Sequence, residues 1–372
     1  MPNKESLYRP LVLAAFIALA TLPMMQCATT SSGAEAPSTT PQTHGPFDGL
    51  RRGLASLCNQ YNVPGLTFAV TYQERLVYKD ALGYAKLENK EPVSASSLFR
   101  IASISKVITE VAIIKLAEEN MLELDGAVFG DMGILGSSFG TPPNGSQIDK
   151  ITVRDLIDHK SGWTNNPNDP MFNYPGVSQK DLITQMVTKR KLTSTPGSTY
   201  YYLNFGYCVL GRVIEKVTGQ TYEAYVQEHI LAPCGITDMR IARNSFADRL
   251  PGEVKYYQAE FSPYSLDLLR MDSHGGWVGS AIDLANFITR IDHGPRVQDI
   301  LPSSRMAGTY LSYDNWWYSG SLSGTTSIVS RFNSDVNYVV LANTRTERDP
   351  NQIIDAIRRT VSGELEKIKD WP

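Results

Sequence analysis

Cysteine and histidine are scarce in this chain of 372 residues, which has 4 cysteines and 5 histidines. The cysteines are widely spaced and adjoin no histidine cluster, so the sequence indicates neither a disulfide scaffold nor a zinc site. Three of them are interpreted as small buried apolar residues: Cys58, Cys208 and Cys234. Three aspartates in helix-start or loop-fixing positions give no metal-ligand spacing: Asp155, Asp158 and Asp283. No metal and no cofactor is predicted.

The chain also lacks an excess of charge and a long apolar run. Its net charge is -3, and acidic and basic residues are interspersed without a basic stripe. Nucleic acid is therefore not expected as a partner. The apolar run at residues 11–23 is too short for a comfortable membrane span.

The N-terminal segment has the pattern of a secretory signal. Lys4 and Arg9 precede the apolar run, and small residues follow it. We predict a signal peptide over residues 1–34 and a flexible Ser-, Thr- and Pro-rich linker over residues 35–46. Cys27 stands where a bacterial lipoprotein carries its lipid, but Gln26 departs from the small residue usual before it. The protein is expected to be periplasmic or secreted, with membrane attachment only through a lipid on Cys27.

The remaining residues, 47–372, are predicted to form one folded unit of the α+β class. A helix and a strand hairpin come first, and a mostly helical middle follows, with predicted helices over residues 103–120 and 179–189 among others. Three strands, the first over residues 316–322, and an amphipathic helix end the chain. Strands segregated in this way indicate an antiparallel sheet built from both chain ends, flanked by helices, with an inserted helical lobe.

A serine lies three residues before a lysine in the segment FRIASISKVIT, residues 99–109. Residues three apart on a helix share a face, so Ser103 and Lys106 are expected to project together, with Ser105 pointing elsewhere. A desolvated lysine at a helix start is a candidate base for the serine proton. However, Ser-x-x-Lys occurs about once by chance in a chain this long. An ordinary helix-face ion pair between Lys106 and Glu110 is the alternative.

A second polar group, Tyr202-Leu203-Asn204, precedes an apolar helix about a hundred residues later. A tyrosine hydroxyl near Lys106 could be held partly as phenolate and serve as a second base. Asn204 offers an amide to a substrate carbonyl or to the lysine. Simple packing of the neighbouring tyrosines is the alternative.

These two motifs, with a glycine-containing strand near the C-terminus, resemble those of the penicillin-recognising serine hydrolases, which include β-lactamases, DD-peptidases and related esterases. Further segments match the family's conserved blocks: LFRIASISK, ITVRDLIDHKSGW, PGSTYYYLNFGYCVLG and GGWVGSAIDLANF. The resemblance runs from about residue 47 to the C-terminus. It is greatest to the class C β-lactamase and carboxylesterase branch, which uses tyrosine in the second motif.

The resemblance implies the β-lactamase/DD-peptidase fold and an acyl-enzyme mechanism. Ser103 would attack a carbonyl carbon, Lys106 and Tyr202 would remove and relay its proton, and Asn204 would position the substrate. The backbone N–H groups of Ser103 and Ser321 would form the oxyanion hole.

Two histidines occupy motif-like positions, His159 and His274. Neither is needed in a lysine-tyrosine mechanism, and His159 is expected to hold its loop in place.

The third motif departs from the family pattern. Where the family has Lys-Thr-Gly or His-x-Gly, this chain has Tyr318-Ser319-Gly320. Tyr318 carries no positive charge, so binding of a substrate carboxylate loses a charge-assisted hydrogen bond worth about 1.5 to 3 kcal/mol. Arg345 is the alternative source of that charge. A glycine at 320 is expected to let the substrate approach the strand backbone.

We therefore predict an exported serine hydrolase that cleaves a small-molecule ester or amide, with a preference of the carboxylesterase type. A β-lactamase or D-amino-acid peptidase is the alternative within the same chemistry. A non-catalytic binding or sensor protein on the same fold is the alternative from another class. The loops at residues 165–176 and 256–273 are expected to set the substrate.

Overall fold

The computed structural model describes residues 45–174, 176–302, 304, 309–346 and 349–372. The predicted signal peptide, Cys27 and most of the predicted linker lie outside these residues. Within the described part of the chain, no helix combines the length and the apolar character needed to cross a membrane.

The first helix and hairpin, the mostly helical middle, the three late strands and the last helix occur in the predicted order. The strands are β1 (Gly65–Tyr72), β2 (Arg75–Lys86), β3 (Glu91–Pro92), β4 (Phe99–Arg100), β5 (Arg240–Ile241), β6 (Trp277–Gly279), β7 (Trp316–Leu322), β8 (Thr325–Arg331) and β9 (Val336–Ala342). The α-helices are α1 (Asp48–Tyr61), α2 (Ser105–Glu118), α3 (Val153–Ile157), α4 (Pro170–Asn173), α5 (Gln179–Lys189), α6 (Asn204–Thr218), α7 (Tyr222–Val226), α8 (Leu268–Gly275), α9 (Ala281–Ile288) and α10 (Pro350–Leu365).

The main sheet joins both ends of the chain, which confirms the predicted α+β class. Its strands run antiparallel in the order β3-β2-β1-β9-β8-β7. The first and last strands of the domain meet in its middle, where Leu66 of β1 lies opposite Ala342 of β9. Side chains along a strand point alternately to the two faces of the sheet, and this period of two made the strands recognisable in the sequence.

The two faces of the sheet bury different layers. Leu66, Phe68 and Val70 of β1 pack in a core with residues of α1 and α10. Ala69, which points to the other face, belongs to the larger core formed with the helical lobe. The helical lobe therefore covers one face of the sheet, and α1 and α10 cover the other.

A second, smaller sheet in the order β4-β6-β5 supports the site and was not predicted. Its strands are two or three residues long, which is too short for an alternating pattern to appear in the sequence. β4 matters because it leads directly into Ser103.

Helix α2 forms the centre of the lobe. Apart from Lys115 and Glu118, its residues are buried, which agrees with its nearly uniform apolar character. The sequence predicted a helix from Ser103 to Asn120. In the structure Ser103 lies instead in a short 3-10 turn, Ala102–Ile104, that precedes α2.

The cysteines and aspartates named from the sequence occupy structural positions in the fold. Cys208 and Cys234 are buried, Cys58 is half-buried, and none of the three forms a disulfide. Asp155 and Asp283 complete capping boxes at the starts of α3 and α9. Asp158 lies instead at the C-terminal cap of α3.

Candidate active site

The turn that carries Ser103 is held by neighbouring strands. Ala102, immediately before the serine, has a positive φ of 49°, a conformation that residues with a side chain rarely adopt. The backbone N–H of Ile101 donates to the carbonyl of Trp277 on β6 at 3.0 Å. The Ser327 hydroxyl on β8 donates to the Ile101 carbonyl at 2.7 Å. The strained turn is thus fixed by tertiary contacts.

Two predicted site residues converge on the Ser103 hydroxyl. The Tyr202 hydroxyl donates to Ser103 Oγ at 2.7 Å. Lys106 Nζ donates to the same oxygen at 3.2 Å. The tyrosine is distant in sequence, so the fold alone brings it to the serine.

Lys106 is fully buried and engaged in the site. Besides Ser103, its Nζ donates to Asn204 Oδ1 at 2.7 Å and to the His274 carbonyl at 2.7 Å. These three acceptors account for its three hydrogens, so the alternative of a helix-face ion pair with Glu110 does not describe this lysine. Of the two partners predicted for Asn204, it is the lysine that the structure shows.

The environment of Lys106 makes its neutral amine accessible near neutral pH. Burial lowers the pKa of Lys106 to about 7, while the nearby Asp169 carboxylate acts in the opposite direction. A group with a pKa close to the working pH can both accept and return a proton. The geometry and the environment therefore suit Lys106 to the role of a general base.

The pKa of Tyr202 is shifted in the opposite direction to that of Lys106. Burial is the main cause that raises the pKa of Tyr202 above its ordinary value. The phenol form is therefore favoured, which is contrary to the partial phenolate expected from the sequence. Its hydroxyl is also hydrogen-bonded to that of Tyr318, so the uncharged third motif contacts the site through Tyr202. The arrangement suits Tyr202 to the role of a proton donor and relay.

His159 was expected to hold its own loop in place, and in the structure it joins that loop to the tyrosine segment. The backbone N–H of Leu203 donates to His159 Nδ1 at 3.1 Å. Burial, assisted by the charge of Lys106, lowers the pKa of His159 to about 3, so its ring is neutral at physiological pH. The ring centroid lies 4.6 Å from that of Tyr202.

The chain also contains a Gly-x-Ser-x-Gly pattern at residues 136–140, which in other hydrolases can mark a nucleophilic serine, but here it lies outside the site. Ser138 is exposed in a segment of turns, without the strand and helix that present a nucleophilic serine in an elbow.

Among the described residues, no group of His, Cys, Asp and Glu side chains is arranged to hold a metal ion.

Gly320 is required for a packing reason that the sequence did not indicate. A Cβ atom at this position would lie 2.4 Å from the Ile101 carbonyl oxygen and 2.4 Å from Ser327 Oγ. The glycine thus lets β7 pack directly on the turn that carries Ser103. This close packing also brings Ser321, the proposed second oxyanion donor, next to that turn.

Gly320→Ala is expected to lower the free energy of unfolding by about 1 to 3 kcal/mol, because the added methyl overpacks this contact. It is also expected to reduce hydrolysis, since the turn must move. Urea denaturation and steady-state rates measure both effects. Gly363→Ala is the matched control, because a Cβ there meets nothing within 4 Å. Equal stability of the two variants would contradict the packing role of Gly320.

Sequence reasoning missed Asp169. It precedes Pro170, a helix-start signal, and it caps α4 by accepting from the Met171 N–H at 3.0 Å. Nothing in the sequence indicated that its other oxygen accepts from the Asn204 N–H at 2.6 Å. The predicted substrate loop at 165–176 therefore also contributes a side chain that supports the site.

Comparisons with known proteins agree with this geometry. A family model described as Beta-lactamase matches residues 47–359. A putative D-alanyl-D-alanine carboxypeptidase from Escherichia coli O157:H7 is 31% identical over 190 residues, covering 47% of this chain and 42% of that protein. The chain spans less than half the length of the first curated relatives that it matches.

Solved structures show the same fold. The octameric penicillin-binding protein homologue from Pyrococcus abyssi has a TM-score of 0.70 at 22% identity, covering 86% of this chain and 77% of that one. A D-amino acid amidase from Ochrobactrum anthropi SV3 has a TM-score of 0.67 at 18% identity, covering 86% of this chain and 99% of that one. The fold is thus that of the β-lactamases and DD-peptidases, as predicted. Because the family model matches most of its length, the chain belongs to the Beta-lactamase family of penicillin-recognising serine hydrolases.

Proposed function

We propose that the protein is a serine hydrolase that cleaves a neutral ester or amide through an acyl-enzyme on Ser103. The observation that carries this proposal is the convergence of Tyr202 and a buried Lys106 on the Ser103 hydroxyl. A serine hydroxyl needs such a base, because it does not give up its proton unaided at neutral pH.

The proposed reaction begins with neutral Lys106. Its amine accepts the Ser103 proton as Oγ bonds to the carbonyl carbon, and the negative charge on the carbonyl oxygen is held by the N–H groups of Ser103 and Ser321. Tyr202 donates its proton to the leaving group and regains one from the Lys106 ammonium. Water then attacks the acyl-enzyme, passing its proton to Lys106 through Tyr202, and Ser103 recovers its hydrogen as the acid leaves.

The substrate preference rests on Tyr318. A hydroxyl at this position can donate a hydrogen bond but offers no charge to a substrate carboxylate. Its contact with Tyr202 makes it part of the hydrogen-bonded site. The curated relative named a putative D-alanyl-D-alanine carboxypeptidase supports the peptidase alternative, in which the substrate is anionic.

A substrate panel tests the proposal. Wild-type protein is expected to have a higher kcat/KM for short-chain p-nitrophenyl esters than for nitrocefin or D-alanyl-D-alanine peptides. Tyr318→Lys is expected to raise the ratio of nitrocefin to ester kcat/KM by about 10- to 100-fold, because it restores a charge-assisted hydrogen bond. Tyr318→Phe, which adds no charge, is the control.

Faster turnover of nitrocefin than of esters by the wild type would favour the β-lactamase alternative. Stoichiometric labelling by a penicillin or fluorophosphonate probe, without hydrolysis of any substrate in the panel, would favour the sensor alternative. An unchanged substrate ratio in Tyr318→Lys would remove the basis for the neutral-substrate preference.

Export is a further part of the proposal, and it is supported by the pattern of residues 1–34 alone. The mass of the mature protein measures it, since cleavage shortens the chain and a lipid on Cys27 adds mass. A full-length, unmodified chain in the cytoplasm would contradict export.

A further inference from the structure

Asp169 is a buried carboxylate beside the site that the proposed reaction does not use. Its residue is only 9% exposed. One oxygen accepts from the Met171 N–H, and the other accepts from the Asn204 N–H at 2.6 Å. The Asn204 side chain is hydrogen-bonded to it as well. Asp169 therefore holds both the backbone and the side chain of Asn204.

The contact between Asp169 and Asn204 provides the N-terminal cap that α6 lacks in its own sequence. Leu203 occupies the N-cap of α6 and has no side-chain acceptor for the free N–H groups of the first turn. Asp169 supplies that acceptor from another loop. A negative charge at a helix N-terminus is also favourable. The start of α6, and with it Asn204, is thereby fixed in position.

The segment that carries Asp169 is itself firmly held. The Arg270 guanidinium on α8 donates to the Met171 carbonyl at 2.7 Å and to the Val177 carbonyl at 2.8 Å, and it also donates to the Tyr174 carbonyl. Arg270 is mostly buried. The carboxylate of Asp169 is thus presented to Asn204 by a braced loop, as a positioning group requires.

We propose that Asp169 is a positioning residue whose carboxylate holds Asn204 against Lys106 and provides the counter-charge for that lysine. The contacts form a continuous path, since Asn204 Oδ1 in turn accepts from Lys106 Nζ at 2.7 Å. The inference rests on the proposed function, in which Lys106 is the base.

Other groups around Lys106 do not duplicate this role. The titratable side chains that face it are Tyr202 and Tyr207, whose rings lie 5.0 and 5.7 Å from Nζ, and the two buried histidines, His159 and His274. Burial lowers the pKa of both histidines, and burial raises that of Tyr202, so these three groups are neutral. Glu110 lies one turn further along α2. Asp169 is the acid that raises the pKa of Lys106. Burial raises the pKa of Asp169 itself, while the hydrogen bonds from Met171 and Asn204 and the charge of Lys106 favour its carboxylate.

The test is the pH dependence of kcat/KM for Asp169→Asn in the full-length protein. Asparagine keeps an oxygen acceptor but removes the charge, so less stabilisation of the Lys106 ammonium remains. The ascending limb of the profile is expected to move to lower pH by about one unit. Asp283→Asn is the matched control, because it removes one capping carboxylate from α9 and is expected to leave the limb unchanged.

The limb position does not depend on how much of the sample is active, so partial unfolding does not obscure the result. If Asp169→Asn does not fold, Asp169→Ser, which is also neutral and able to cap, takes its place. An unchanged limb, or a shift to higher pH, in an active neutral variant would overturn the role of Asp169. A wild type without Ser103-dependent hydrolysis would instead refute the proposed function.

Discussion

Ser103→Ala is expected to abolish labelling by a fluorophosphonate probe and to lower kcat/KM by about 10⁴- to 10⁶-fold. Losses of this size follow removal of a nucleophile whose partners act as a unit. Lys106 and Tyr202 both direct hydrogen bonds at this oxygen, and neither can replace it in forming the acyl bond. Intact-protein mass spectrometry measures the label, and steady-state kinetics measure the rate.

Ser105→Ala is the matched control for that experiment. Ser105 lies two residues away, but it is buried and its Oγ accepts from the Trp277 N–H at 3.3 Å. It points away from the site, as the sequence predicted, so this variant is expected to be labelled normally. Labelling that survives in Ser103→Ala would show that the nucleophile has been assigned to the wrong residue.

Lys106→Met is expected to lower kcat/KM by about 10²- to 10⁴-fold, the range for loss of a general acid-base group. Methionine fills a similar volume without a titratable amine. The same change is expected to increase the free energy of unfolding at pH 7. The reason is that the folded protein buries an amine that the unfolded chain leaves in water.

The sign of the pH dependence follows from the two pKa values of Lys106. The pKa is about 7 in the folded protein and 10.5 in the unfolded chain, so the unfolded chain binds the additional proton between these values. The wild type therefore carries the full penalty below about pH 7 and loses it as the pH rises towards 10.5. The stabilisation by Lys106→Met should be largest at or below pH 7.

Urea denaturation at pH 7 and at about pH 10 measures this difference. Lys115→Met, on the same helix, is the control, because Lys115 is partly exposed and paired with Glu119 at 3.2 Å. Its effects on stability and rate are expected to be small. A Lys106→Met variant that keeps its rate would exclude the lysine as the base.

Long periodic segments made much of the fold predictable. Helix α5 has the predicted bounds, and β7 likewise spans Trp316–Leu322 as expected. Short elements offered no such pattern, and β4 and β6 were missed for that reason. The start of α2 was placed too early, because the positive φ of Ala102 depends on contacts with β6 and β8 that no local propensity encodes.

Some residues of the site could likewise be predicted from the sequence, and others could not. Ser103, Lys106, Tyr202 and Asn204 could be named because their types and spacing resemble a known family pattern. Asp169 could not be connected to Asn204, since the two residues lie on different segments that meet only when the loop at 165–176 folds back. Gly320 was named from the same pattern, and its neighbours, Ile101 and Ser327, provide a packing reason for a glycine that the sequence did not contain.

The chain's order of residues thus specifies which elements form and which chemical groups are available, because periodicity and side-chain chemistry are local properties. The state of those groups depends on the folded protein. Full burial of Lys106 lowers the pKa of its amine, and burial of Tyr202 keeps it a phenol, since a charge loses its hydration in the protein interior. Such desolvation arises from packing between distant segments, and therefore appears only when the fold is complete.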